Sequence, residues 1–192
     1  PHFLLERAKI NYQVGVSLRY RDIFRYKPQY EGSKTLVLGS YSVKETANIL
    51  KMVAKLDRVL FKGHPLVDNQ KISSFLNDRI ETTQTNIYDL FPQSALVIGG
   101  ASGSLAEAIA CGVSVLVLAK ENELVTNPFA EIGKGKMWDI AYNSEDILKK
   151  FAELVTFRNM HKDEIINITS WYRSHFFVEP TKEKIKQIFE VN

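Results

Sequence analysis

The residues whose types and spacing point most directly to chemistry form a turn of three glycines and two serines at positions 99–104, Gly-Gly-Ala-Ser-Gly-Ser. A short apolar run precedes this turn, and a helical stretch ending at Gly112 and the apolar run Val113–Leu118 follow it, which predicts one βαβ crossover. Small residues at the start of a helix leave backbone N–H groups uncovered, and these groups together with the helix dipole suit an anion such as phosphate. Ser102, Gly103 and Ser104 are therefore the candidate phosphate-binding residues.

The same stretch has an interpretation that needs no ligand. Ser104 and Glu107 match the capping box, in which a serine accepts a hydrogen bond from the amide three residues later and the glutamate binds back to the serine amide. This pattern predicts that Glu107 serves only to cap the start of the helix and binds no ligand. A cap needs no extra glycines before it, so phosphate binding remains the favoured interpretation of the turn.

His64 is the candidate catalytic residue. It follows the apolar run Arg58–Lys62, and Pro65 biases it toward an extended backbone and ends the predicted strand there. Imidazole titrates near neutral pH, so His64 would supply a hydrogen bond or a positive charge to a departing phosphate. Lys62 lies two residues earlier on the same side of the extended chain and is a weaker candidate.

The elements that position these residues alternate between strand and helix, which predicts an α/β fold with a doubly wound parallel sheet of the Rossmann-like kind. Ligands of such sheets bind at the carboxyl ends of the strands, where Gly39, Ser40 and His64 would join the turn. The sequence predicts strands at 35–38, 58–62, 79–83 and 137–141, helices at 43–56, 69–76, 87–91 and 144–155 with Ser144 as a helix cap, and a further strand at 14–18.

We expect residues 1–33 to be a connector or the end of a missing N-terminal domain, 34–160 an α/β domain, and 161–192 closing helices. The start Pro1-His2-Phe3 resembles neither an initiator methionine nor a signal peptide, which suggests a fragment of a longer chain. No apolar stretch is long enough to span a bilayer.

Composition narrows the classes of ligand further. The chain has 25 Lys and Arg against 22 Asp and Glu, without a long basic run, so nucleic-acid binding is not indicated. A small anionic ligand is compatible with this charge balance. The single cysteine, Cys111, lies among apolar residues and is expected in the core, and the lack of a disulfide framework fits the cytoplasm. The sequence contains no Asp-x-Asp pair of the kind that would indicate a bound divalent metal ion.

Taken in order, the Gly-Ser loop at 39–40, the Lys-x-His-Pro at 62–65 and the Ser-Gly-Ser-x-x-Glu-Ala at 102–108 resemble the C-terminal, donor-binding half of the two-domain GT-B glycosyltransferases. The resemblance covers roughly residues 34–155. The chain is also similar to the non-hydrolysing UDP-N-acetylglucosamine 2-epimerases, which share the fold, a Ser-Gly-x-x-x-Glu turn and a His-Pro element. Residues 119–123, Ala-Lys-Glu-Asn-Glu, lack the arginine-containing segment of those epimerases, which favours a transferase.

The resemblance implies a nucleotide-sugar donor whose phosphates face Gly39, Ser40 and the 102–104 turn, with Glu107 accepting hydrogen bonds from the ribose. It implies nucleobase contacts at 82–86, sugar contacts at 121–127, and metal-independent chemistry without a cofactor. The acceptor, a glycan or a lipid-linked molecule in surface glycan biosynthesis, and usually the catalytic base, would belong to the missing N-terminal domain. The expected location is the cytoplasm, with peripheral association at the inner membrane face. A non-catalytic binding domain of the same fold is a further alternative.

Overall fold

The computed structural model describes residues 15–119 and 129–189, and within them six strands form one sheet in which every neighbouring pair is parallel. The strands are β1 Lys34–Leu38, β2 Val59–Lys62, β3 Ile80–Thr82, β4 Ser94–Gly99, β5 Ser114–Leu118 and β6 Trp138–Ala141. Their order in the sheet is β3-β2-β1-β4-β5-β6. This arrangement confirms the expected Rossmann-like α/β fold.

Helices cover both faces of the sheet. Short 3₁₀ segments at Leu18–Tyr20, Asn69–Phe75 and Phe91–Gln93, and a π-helical turn at Tyr172–Phe176, connect or extend the longer elements. The α-helices are α1 Asp22–Arg25, α2 Val43–Val53, α3 Ile87–Leu90, α4 Gly103–Ala110, α5 Ser144–Met160, α6 Lys162–Trp171 and α7 Lys182–Phe189.

The core consists of two hydrophobic clusters, one on each face of the sheet. In β4, Val97 faces the cluster that includes α4 and α6, whereas Leu96 and Ile98 face the cluster that includes α2 and α5. All six residues of β4 are buried. A strand covered on both faces reads as a continuous apolar run, which explains why the sequence pattern identified this strand and β5.

The strand order reverses direction between β1 and β4. From β1 the chain moves through α2 to β2 on one side, and from β4 it moves through α4 to β5 on the other side. The two connections therefore separate, and the loops after β1 and β4 border a crevice at the carboxyl edge of the sheet. Ligands of doubly wound sheets bind at this switch point.

Two local predictions are wrong. Residues 15–18 form no strand, and Val14 lies outside the described residues. The Ser17 amide donates to the Val178 carbonyl at 2.8 Å, and the Ser17 hydroxyl accepts from the Val178 amide. These two hydrogen bonds link single residues and do not form a β-ladder. Ser144 is not the cap of its helix. Asn143 is the N-cap, because its Oδ1 accepts from the Asp146 amide at 2.9 Å, and the helix continues to Met160, past the predicted end at 155.

Residues 15–33 pack against the same core as the sheet. Ile23 of α1 is fully buried, and Arg158 of α5, only 4% exposed, donates hydrogen bonds to the carbonyls of Ala95 (2.7 Å) and Tyr30 (3.1 Å). Burial lowers the pKa of the Arg158 guanidinium to about 10. The expectation that residues 1–33 belong to a connector or a preceding domain stays a prediction.

Candidate functional site

A cavity of about 590 Å³ opens at the carboxyl edge of the sheet, at the switch point between β1 and β4. Six of the seven candidate residues line it: Gly39, His64, Ser102, Gly103, Ser104 and Glu107. The seventh, Ser40, lines an adjoining cavity of about 280 Å³ that shares Leu38, Gly39, His64 and Ser102 with the first. The fold therefore brings together residues from three loops and one helix that are far apart in the sequence.

The turn between β4 and α4 presents free backbone donors. Ser102 is the N-cap, and its hydroxyl accepts from the Ser104 amide at 3.3 Å while its carbonyl accepts from the Leu105 amide at 3.1 Å. Within the described part of the chain, the exposed amides of Ala101 and Gly103 have no acceptor. Free amides at the start of a helix donate hydrogen bonds to an anion, and the positive end of the helix dipole attracts it as well.

The capping-box interpretation of Ser104 and Glu107 is wrong. The helix begins two residues earlier than this pattern requires, at Gly103 with Ser102 as its cap. The Glu107 carboxylate accepts a hydrogen bond from the Tyr88 hydroxyl instead of binding the Ser104 amide. Glu107 is 9% exposed and lines the larger cavity, so its carboxylate lies at the cavity wall.

Burial controls the electrostatics of this carboxylate. It raises the pKa of Glu107, while the hydrogen bond from Tyr88 and the positive charge of Arg19 oppose the increase. The Tyr88 ring is itself buried, stacked on Tyr26 at 5.3 Å and in edge contact with Phe91 at 5.7 Å. These aromatic contacts hold the Tyr88 hydroxyl toward Glu107.

His64 is held in one orientation by its own loop. Its Nδ1 accepts a hydrogen bond from the Leu66 amide at 3.2 Å, which requires that the proton of the neutral ring is on Nε2. Nε2 is then a donor. Lys62, at the end of β2, also lines the cavity, and its Nζ donates to the Gln84 carbonyl at 3.2 Å. This side of the cavity thus holds a histidine donor and a lysine charge.

The loop after β1 uses most of its polar groups internally. The Gly39 amide donates to the Lys62 carbonyl at 2.9 Å, and the Ser40 amide donates to the Thr46 hydroxyl at 3.0 Å. The Ser40 hydroxyl donates to Glu45 Oε2 at 2.5 Å. A phosphate contact from Gly39 and Ser40 stays a prediction, because the structure shows these groups bracing the start of α2.

That bracing is a variant of the capping box. Ser42 is the N-cap of α2 and accepts from the Glu45 amide at 3.3 Å, as the pattern Ser-x-x-Glu requires. The return bond is relayed, since the Ser42 amide donates to the Ser40 hydroxyl at 3.2 Å, which in turn donates to Glu45. The capping pattern of this site therefore belongs to Ser42 and Glu45.

Of the two segments expected to contact base and sugar, one can be described. Gln84 and Asn86, from the 82–86 segment, line the larger cavity. Asn86 also caps α3 by accepting from the Tyr88 amide at 3.0 Å. The proposed sugar-contacting segment, 121–127, lies outside the described residues.

No sequence pattern indicated Arg19 and Tyr20 at the cavity wall, or Tyr88 as the hydrogen-bond partner of Glu107. Arg19 and Tyr20 precede the sheet in the chain, in the segment expected to be a connector, and no motif marks them. Cys111 lies as expected in the core, where burial raises the pKa of its thiol to about 12.

Within the described ranges, no group of three or more His, Cys, Asp or Glu side chains could hold a metal ion. Whether the site operates without metal or cofactor stays a prediction. None of the helices in these ranges has the length and apolar character to cross a bilayer.

No protein-family model matches this sequence, and no curated protein sequence matches it. Solved structures do match. The glycosyltransferase VinC in complex with dTDP superposes with a TM-score of 0.56 at 16% identity, over 94% of this chain and 45% of VinC. TarM gives a TM-score of 0.52 at 14% identity, over 98% of this chain and 45% of TarM.

This chain has the fold of one half of a GT-B glycosyltransferase. The wall teichoic acid polymerase TagF, soaked with CDPG, also matches this half GT-B domain, with a TM-score of 0.50 at 15% identity over 90% of this chain. The chain spans about 45% of the length of each of these three structures. UDP-N-acetylglucosamine 2-epimerases match with TM-scores below 0.5. At these identities the likeness establishes the fold, and the function must be argued from the site.

Proposed function

We propose that this half GT-B domain is the donor-binding part of a glycosyltransferase that transfers a sugar from a nucleotide-activated donor during surface glycan biosynthesis. The observation that carries the proposal is the cavity of about 590 Å³ in which Gly103 with its free amide, His64 and Glu107 converge, next to the free Ala101 amide of the adjoining cavity. Its position at the switch point of the sheet is where nucleotides bind in doubly wound folds.

Each group has a chemical role in the proposal. The free amides and the start of α4 hold the donor diphosphate, and Glu107 accepts hydrogen bonds from the ribose hydroxyls. The bond between the sugar carbon and the phosphate oxygen breaks, and its electron pair stays on that oxygen. His64 Nε2–H donates to the phosphate as this negative charge develops. Arg19 and Lys62 add positive charge at the cavity wall.

The remaining parts of the reaction lie beyond this half domain. An acceptor hydroxyl, on a glycan or a lipid-linked molecule, forms the new bond to the sugar carbon and loses its proton to a base. We place the acceptor site and this base on a preceding N-terminal domain, in an enzyme at the cytoplasmic face of the membrane. The 192-residue chain alone is accordingly expected to bind nucleotide and to show little or no turnover.

Thermal unfolding in the presence of CMP, CDP, UDP, GDP, ADP or dTDP tests nucleotide binding directly. At least one diphosphate should raise the melting temperature, because binding at about 100 times Kd adds about 2.7 kcal/mol to the stability of the folded state. His64→Ala should weaken that binding about tenfold, the loss of one charge-assisted hydrogen bond. The matched control is His161→Ala. His161 is the C-cap residue of α5 and does not line the cavity, so this variant should bind the nucleotide with unchanged affinity.

If none of these nucleotides raises the melting temperature, the donor-binding proposal fails and a non-catalytic domain of this fold is the better description. The epimerase alternative predicts a different product. An epimerase converts UDP-N-acetylglucosamine to its 2-epimer without any acceptor, so NMR of that compound incubated with the full-length enzyme would contradict a transferase if the epimer accumulated.

A further inference from the structure

The smaller cavity has a wall that differs in charge from the larger one. It is lined by Tyr41, Glu45 and the backbone of residues 99–102, and it meets the larger cavity along Gly39, His64 and Ser102. The larger cavity has Arg19, Lys62 and the free Gly103 amide at its wall beside the Glu107 carboxylate, whereas none of the described Lys or Arg side chains lines the smaller cavity. A ligand that holds its phosphates at the 101–103 turn would thus extend past His64 into a region with a carboxylate.

Glu45 keeps one carboxylate oxygen available in that region. Its Oε2 accepts from the Ser40 hydroxyl at 2.5 Å, which fixes the side chain. Its Oε1 has no hydrogen-bond donor among the described residues and lies against Gly100, so close that a Cβ added there would come within 2.5 Å of it. The absence of a side chain at Gly100 is what allows the carboxylate to lie beside the turn.

Tyr41 adds an aromatic face at the opening of the same cavity. Its side chain is 76% exposed, although its ring makes an edge contact with His64, with ring centroids 6.5 Å apart. An exposed aromatic ring with one apolar face and a polar tip suits a ligand that has both C–H and O–H groups.

We propose that this smaller cavity binds the uncharged, hydroxyl-bearing group of the donor, a glycosyl or polyol group, with Glu45 Oε1 accepting from a hydroxyl and Tyr41 packing against the C–H face. A carboxylate repels phosphate, so a second anionic group would not lie here, whereas a hydroxyl gains a charge-assisted hydrogen bond. This inference rests on the proposed donor site, and it adds the residues that distinguish a nucleotide-sugar from its nucleotide.

The test compares each nucleoside diphosphate with its conjugate by isothermal titration calorimetry of the 192-residue chain. The pairs are CDP with CDP-glycerol, UDP with UDP-N-acetylglucosamine, GDP with GDP-mannose and dTDP with dTDP-glucose. For the pair that binds, Glu45→Gln should leave the diphosphate affinity equal or higher, because a repelling charge is removed. It should reduce the affinity of the conjugate relative to the diphosphate about tenfold, the effect of losing a charge-assisted acceptor. Tyr41→Ala should reduce the ratio of conjugate affinity to diphosphate affinity severalfold.

Ser42→Ala is the matched control, because it removes the cap of α2 without removing Glu45 or Tyr41 from the cavity wall. The ratio should stay at its wild-type value in this variant. An equal fall of the ratio in Ser42→Ala would assign the effect to the helix start and overturn the proposal, as would an unchanged ratio in both Glu45→Gln and Tyr41→Ala. A wild-type chain that binds none of the diphosphates contradicts the donor site itself, which is a separate failure.

Discussion

The buried carboxyl of Glu107 is the residue at which environment and chemistry are most closely linked. Desolvation raises its pKa, and the Tyr88 hydroxyl and the Arg19 charge oppose this, while Asp22 adds a small increase. The folded state therefore binds a proton at Glu107 more readily than the unfolded state does. This residue's contribution to stability is accordingly largest in acid and is lost as the pH rises through the folded-state pKa.

Tyr88→Phe should change the pH dependence of nucleotide binding. The ring contacts with Tyr26 and Phe91 remain, but the hydrogen bond that lowers the Glu107 pKa is lost, so this pKa rises further. If the ionised carboxylate accepts the ribose hydroxyls, affinity increases as Glu107 deprotonates. The increase should therefore move to higher pH in the variant, which should bind about tenfold more weakly in weak acid.

Calorimetric titrations across the weakly acidic to weakly basic range measure this shift. Tyr26→Phe is the control, because it removes the neighbouring hydroxyl, which bonds Asp89 at 3.3 Å, and leaves the Tyr88 hydroxyl in place. Superimposable pH profiles for Tyr88→Phe and the wild type would show that Glu107 does not contact the nucleotide in its ionised form.

At the scale of elements, helix starts determine the position of the site residues. Each of α2, α4 and α5 begins at a side chain that accepts an amide hydrogen bond, from Ser42, Ser102 and Asn143 respectively. The cap of α4 fixes where the free amides begin. The Ser40 hydroxyl, just before α2, donates to Glu45 Oε2 and holds that carboxylate beside Gly100.

The cap of α5 provides a stability test that is independent of any ligand. Asn143→Ala should lower the free energy of unfolding by about 1 kcal/mol, because the Asp146 amide loses its acceptor. Ser144→Ala, one residue later, should have almost no effect. Urea unfolding of the two variants checks this, and an equal or larger loss in Ser144→Ala would contradict the assignment of Asn143 as the cap.

The comparison of Asn143 with Ser144 also shows what the sequence could predict. Both residue types are good caps, so the pattern located the helix start but not the residue. The strands of the sheet were predictable because apolar runs end in glycine turns at β1 and β4. The Tyr88–Glu107 hydrogen bond was not, because it depends on how α3 packs beside α4, which no spacing of residues encodes.

At the scale of the whole molecule, residues 15–33 and the C-terminal helices complete the core beneath the site. Arg158 contacts the carbonyls of Tyr30 and Ala95, and Arg173 those of Tyr26 and Ala110. Both side chains thereby join the segment before β1 to elements that follow it. As a result, Arg19 and Tyr20 reach the cavity wall, although they precede the sheet in the chain.

The parallel topology of the sheet produces a crevice at which loops that are distant in the sequence converge. Gly39 follows β1, His64 follows β2, and Gly103 begins α4 after β4, yet all three line the same cavity. We propose that the free amides around the last of these positions bind the phosphates of a nucleotide. Every role proposed for His64, Glu107 and Glu45 depends on that contact.

Gly103→Ala tests this claim most directly. Gly103 has no positive φ, and an added Cβ would meet only the Tyr20 hydroxyl, at an ordinary contact distance of 3.4 Å. Alanine should therefore fold normally and leave the melting temperature unchanged or slightly higher, because it favours helix over glycine. The methyl group would, however, occupy space beside the free amides. We therefore predict that calorimetry will show about tenfold weaker binding of the preferred nucleoside diphosphate. Wild-type affinity in a normally folded variant would contradict phosphate binding at these amides.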